Sequence, residues 1–159
     1  MNPKSVLQIL FSSRFIVAYV FAAAISWSSY FSPYMFCILF TVYDIIGYEA
    51  VRDKLDLTLL HSYRIIQTAF QLALVLLAYA CYGLFPALGF LLLWWFGLCD
   101  YLYYAIGRYE TKGVIWDWLW WTPAGLCKIK ITTAALQIQI IIAIWLYAII
   151  MTLHLSGII

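Results

Sequence analysis

Residues 65–99 read IIQTAFQLALVLLAYACYGLFPALGFLLLWWFGLC, an apolar run without one ionisable charge. A charged side chain costs about 2.5–3.5 kcal/mol or more at the centre of a bilayer, and a helix of about 20 apolar residues crosses one. The run therefore belongs in lipid, and it is too long for a single crossing. Gly83 and Pro86 divide it, because glycine ends a helix and proline is tolerated only in a first turn. The pattern predicts helices over 64–82 and 86–107.

The same exclusion of charge recurs on either side. Stretches 15–43 and 131–159 are also uncharged, and all sixteen Asp, Glu, Lys and Arg residues fall within 4–14, 44–64 and 100–130. Ser28, Ser29, Ser32 and Pro33 interrupt the first stretch, and Pro33 disfavours helix at the residue before it, giving spans near 14–31 and 34–51. The last stretch carries one span over 132–156. An A-x-A-like run at Ala22, Ala23 and Ala24 imitates a signal-peptide cleavage site, but an uncleaved first span is the expected reading.

The expected fold is thus all-α, a polytopic transmembrane helix bundle of five spans and a single domain over 1–159. Composition agrees: 67% hydrophobic, 10% charged and a mean hydropathy of +0.95, against about half apolar and a quarter charged in soluble domains. A net charge of +2 without any dense Lys/Arg run leaves no surface for phosphate counterion release, so nucleic acid is excluded as a partner. Cys37, Cys81, Cys99 and Cys127 have no CxxC spacing, which argues against a disulfide framework or a zinc site.

Cytoplasmic loops carry the Lys and Arg excess. With five spans and the N-terminus inside, Lys4, Arg14, Arg52, Lys54, Arg64, Arg108, Lys112, Lys128 and Lys130 all fall on the cytoplasmic side; with four, the middle cluster would be forced outside. The expected topology is N-terminus cytoplasmic and C-terminus outside, in a plasma or bacterial inner membrane. The external turns lie near Ser32-Pro33 and Gly83-Pro86.

The second and fourth spans share Asp-x3-Tyr-x3-Arg, as Asp44, Tyr48, Arg52 and as Asp100, Tyr104, Arg108. Spacings of four and eight put each trio on one helical stripe. Two readings stand: a weak parallel repeat of two helical hairpins, or a coincidence of three positions. Eight residues at about 1.5 Å rise set each Asp about 12 Å inward from its Arg, inside a hydrocarbon half-thickness of about 15 Å. An intramembrane acid is a functional-site candidate. The plainer reading is a structural pin, each Asp accepting from a tyrosine hydroxyl or a neighbouring Arg.

Glu49, Arg52, Asp53, Asp56 and His61 are expected in a charged loop over 49–64, where His61 with Glu49, Asp100 or Glu110 would form an acid/base or carboxylate-metal constellation. With two His in the chain and no HxxH, HExxH or ExxH pair, no metal site is assigned and no cofactor is identified. In 109–131, Trp116, Trp118, Trp120 and Trp121 surround Asp117. Tryptophan at that position anchors a segment at the headgroups, or forms a lid edged by Lys128 and Lys130 over an amphipathic ligand. Gln67 and Gln71 share a helix face suited to interhelical hydrogen bonds, and Gln137 and Gln139 lie on different faces, leaving one for a partner subunit.

The candidate cluster is therefore Asp44, Tyr48, Glu49, Arg52, His61, Asp100, Tyr104, Arg108, Glu110 and Asp117. It implies a membrane protein that binds a lipid or amphipathic small molecule, or docks a partner membrane subunit or a second copy. The alternative is an intramembrane enzyme acting on a lipid or phosphate-bearing substrate at the inner leaflet, with Asp44, Asp100 and Glu110 as acids, bases or metal ligands and Arg52 and Arg108 on phosphate.

Overall fold

A computed structural model describes residues 29–51, 57–108, 114 and 116–159. The expected first span lies almost wholly outside them, as do Arg52 and Glu110. Among the described residues every regular element is helical, and no strand occurs. The elements are α1 (Ser32–Val51), α2 (Leu57–Tyr82), α3 (Leu84–Trp95), α4 (Leu98–Leu102) continuing into a π-helical turn (Tyr103–Arg108), a 3-10 turn (Asp117–Leu119), α5 (Pro123–Leu126) and α6 (Thr133–Leu155).

Two helices are long and apolar enough to cross a membrane, His61–Tyr82 and Thr133–Leu155, and the bent pair Leu84–Trp95 with Leu98–Gly107 makes a third if it counts as one span. α1 is apolar over the shorter Ser32–Tyr48. It opens where the serines and Pro33 interrupt the sequence: Ser32 Oγ donates to Ser29 O at 2.9 Å, and Pro33 sits in the first turn, where a missing N–H costs no helical bond. α2 ends at Tyr82 because Gly83 takes φ +89°, a left-handed conformation that glycine alone adopts without penalty.

Two expectations are corrected. The fourth span is not one helix over 86–107 but two, bent by 64° at Phe96–Gly97. Phe96 N closes α3 on Leu92 O, Gly97 turns at φ +84°, and Tyr101 N restarts the ladder on Gly97 O. A Cβ on Gly97 would also lie 2.8 Å from Leu136 Cδ1. The second correction concerns 49–64, which is not one long loop: α2 begins at Leu57, so His61 sits on a helix and is exposed. The run Leu-Thr-Leu-Leu from 57 has no breaker, so the helix extends past the last charge.

Lipid tails are as apolar as leucine, so helices in a bilayer associate through close packing and small residues at their crossings. α3 meets α6 at Gly89, where a Cβ would fall 2.3 Å from Tyr147 Cε2. Ala78, Ala87 and Ala143 are buried beside Phe36, Phe90, Leu93 and Leu136. At Gly89 the missing side chain lets the Tyr147 ring fill the space. By contrast the crossing stretch of α2 is only 11% buried, and Ile65, Ile66, Leu72, Leu76 and Leu77 face outward.

The two ends of the bundle differ. At one, Phe85 packs on His154 with ring centroids 4.1 Å apart, and Tyr147 Oη donates to Ser29 O at 3.3 Å. At the other, Trp116 Nε1 donates to Thr133 Oγ1 at 3.1 Å and Trp118 Nε1 to Asp100 Oδ1 at 3.3 Å. The described acids and Arg64 belong to this second end.

Candidate functional site

On α1, Cys37, Thr41, Asp44 and Tyr48 follow one another at spacings of four, three and four, a single stripe. Thr41 Oγ1 lies 2.8 Å from Cys37 O and 3.3 Å from Cys99 O, and Cys99 Sγ approaches Cys37 O at 3.9 Å. These contacts lock α1 to α4 one turn before Asp44 and one residue before Asp100. Both carboxylates consequently enter the same hollow.

On α2, Tyr63, Gln67 and Gln71 form a matching stripe. Tyr63 Oη donates to Asp44 Oδ1 and sits 3.1 Å from Asp44 O, while Gln67 Nε2 donates to the same Oδ1 at 2.5 Å. Gly47 leaves the room for this, since a Cβ there would come within 2.8 Å of Tyr63 Cε2. Arg64 lies at the exposed edge, its Nη1 3.5 Å from Gln67 Oε1.

The loop after the π turn supplies the remaining wall. Trp118 stacks on Tyr104 at 5.7 Å while donating to Asp100, and Trp121 stacks on Trp94 at 4.7 Å. Gln139, buried at 5% exposure, holds the loop to the bend. Its Oε1 accepts from Ala124 N at 3.2 Å and its Nε2 donates to Phe96 O at 3.0 Å. The helix break thus has its freed carbonyl satisfied by a side chain.

Two adjoining hollows result, of about 180 Å³ and about 320 Å³. Both are lined by Asp44, Arg64, Gln67, Asp100 and Trp118. The larger adds Tyr48, Tyr63, Tyr103 and Tyr104, and the smaller adds Gln71, Cys99, Trp94 and Trp121 among others. Trp94 also lines an apolar groove of about 400 Å³ between α3 and α6, with Leu88, Leu92, Trp95 and Tyr147. One indole therefore separates a polar chamber from an apolar one.

Of the sequence candidates, Asp44, Tyr48, Asp100 and Tyr104 are brought together. His61 and Asp117 are exposed and line neither hollow. The side chains of Glu49 and Arg108, with Arg52 and Glu110, lie outside the described residues. Among the described residues no three His, Cys, Asp or Glu side chains form a metal-binding group. Lys128 and Lys130 are exposed and line neither hollow. Gln137 donates to Tyr101 Oη at 2.9 Å, so both it and Gln139 find partners within the chain.

The candidate list lacked Arg64, Gln67 and Trp118. The spacing of Tyr63, Gln67 and Gln71 was a readable signal for the α2 stripe; nothing local marked Trp118 above its three neighbouring tryptophans. The two Asp-x3-Tyr trios also sit on different backbones, since Asp44 and Tyr48 lie within continuous α1 whereas Asp100 and Tyr104 straddle the passage into the π turn. Comparison of the chain with protein-family models, curated proteins and solved structures found no match, so the chemistry of the site is read from its own residues.

Proposed function

We propose that this chain is a five-span, single-domain integral membrane protein of the plasma or bacterial inner membrane, N-terminus cytoplasmic and C-terminus outside, that binds a lipid or amphipathic small molecule. The head of the ligand occupies the Asp44–Asp100 hollow and its chain the groove along α3 and α6. The observation that carries this reading is Trp94, which lines the polar hollow on one side and the apolar groove on the other. An amphiphile can satisfy both chambers at once. The larger polar hollow, at about 320 Å³, is in the range of small-molecule sites, about 300–1,000 Å³.

The bend supports the same reading. Non-helical backbone at membrane depth is tolerated where it is packed in protein or lines a cavity, and Trp94, Cys99 and Asp100 flank the bend and line the smaller hollow. The topology is supported by the grouping of the described acids and Arg64 at the end opposite Phe85 and His154. A reporter enzyme fused after Ile159 is expected to be active only outside; an intracellular signal would overturn the five-span order.

Lipid extraction of the purified protein is expected to return one amphiphile near one-to-one. Trp94→Ala, which removes the ring that lines both chambers, is expected to lower its retention about fivefold, a loss of about 1 kcal/mol. A folded protein that retains no amphiphile sinks the binding reading. Recovery of a chemically altered lipid in its place would favour the inner-leaflet enzyme, and co-purification of a stoichiometric membrane subunit alone would favour the docking role.

A further inference from the structure

Building on that binding reading, we propose that the head recognised in the hollow is a primary ammonium joined to a phosphate, as in an aminophospholipid: the ammonium lies between Asp44 and Asp100, and the phosphate on Arg64. Charge complementarity is the first argument. Among the described residues the hollow presents two carboxylates and one guanidinium, so a head that carries both signs can set its cation on the acids and its anion on the guanidinium.

Unused hydrogen-bond capacity is the second argument. Asp44 spends Oδ1 on Tyr63 and Gln67, and Asp100 spends Oδ1 on Trp118. The second oxygen of Asp44 has no donor among the described residues, Asp100 adds only its own backbone N–H to the bond from Trp118, and neither acid has a buried oxygen without a partner. Acceptor capacity left on carboxylates from two different helices suits a group with several N–H donors, and a primary ammonium has three. The stacked pair Tyr104 and Trp118 adds ring faces that attract the same cation.

Position is the third argument. Arg64 stands at the exposed edge of α2 and lines both hollows, where its planar fork can take a phosphate in two parallel hydrogen bonds. The phosphate of such a lipid is two carbons from its ammonium, so a guanidinium lining the same hollow as the two acids is placed to take it.

The test uses the full chain in nanodiscs of equal phosphatidylethanolamine, phosphatidylcholine and phosphatidylglycerol with matched acyl chains, read by native mass spectrometry of retained lipid. Phosphatidylethanolamine is expected to be enriched about tenfold over each of the others, equivalent to about 1.4 kcal/mol. Asp100→Asn, Asp44→Asn and Arg64→Gln are each expected to bring the ratio toward parity. Thermal melting checks that the variants fold, and Asp100→Asn decides if Asp44→Asn does not. Equal retention of phosphatidylcholine, whose quaternary ammonium cannot donate, or preference for phosphatidylglycerol overturns the headgroup assignment while leaving the binding reading intact. Loss of all lipid from every disc removes both. Displacement by free phosphoethanolamine would keep the ammonium–phosphate chemistry and assign a soluble source; no displacement assigns the lipid.

Discussion

Gln139→Leu is expected to lower stability by about 3 kcal/mol, because leucine keeps the bulk of the side chain but removes both of its hydrogen bonds, and each buried backbone group left unpaired costs about 1–3 kcal/mol. The two groups are Phe96 O at the bend and Ala124 N in the loop after it. Inside a bilayer neither would have water to turn to. For a chain of this size the loss corresponds to about 10 °C in the melting temperature of the detergent-solubilised protein. A leucine variant melting beside the parent would show that the bend is held by packing alone.

Gly125→Ala is expected to do comparable damage by a different route. A Cβ there would sit 2.5 Å from Leu119 O and 2.6 Å from Trp120 Cα and C, all main-chain atoms that cannot swing aside as a side-chain tip can. Over-packing of this kind costs about 1–3 kcal/mol and occasionally more. The turn that must yield is anchored by Thr122 Oγ1 on Leu119 O at 2.8 Å and Leu126 N on Thr122 O at 2.8 Å. It sets both Trp118 against Asp100 and Trp121 against Trp94. Retention of the bound amphiphile should therefore fall with stability. In a Trp118→Phe background, which has already lost the indole N–H donor, the further loss of ligand from Gly125→Ala should be smaller than in the parent, as expected for coupled residues. Undiminished retention together with an unchanged melt would detach the tryptophan loop from the site.

The two substitutions bear on the same joint. Gln139 ties the bend to α5, and Gly125 allows α5 to fold back onto the tryptophan turn. Between them they place the residues on either side of a 64° change in direction. That angle, and not the spacing of the acidic stripe, aims Asp100 at Asp44.

Much of this organisation was legible along the chain. The helix start at Ser32-Pro33 and the break at Gly83 follow from backbone chemistry that acts within a few residues, and both appear where the sequence puts them. The stripe of Asp44 and Tyr48 needed only the helical period. The bend at Phe96–Gly97 was not legible, since a single glycine in Trp-Trp-Phe-Gly-Leu-Cys is compatible with a continuous helix; its left-handed turn is supported by Gln139, 43 residues away from the Phe96 carbonyl it caps. Nor could His61 be placed, because the start of α2 depends on how far the helix extends past its charges.

Composition and the segregation of charge were by themselves enough to make this an all-helical protein with apolar helices suited to a membrane, because the cost of moving an ion into hydrocarbon depends on the residue and hardly on its neighbours. Which side chains share a chamber was decided only in three dimensions. Thr41 meets Cys99 across 58 residues and Trp118 meets Asp100 across 18, and such pairings are set by where helices cross and bend. A small residue at a crossing, such as Gly47 or Gly89, determines that distance through packing, which has no signature in the local run of sequence.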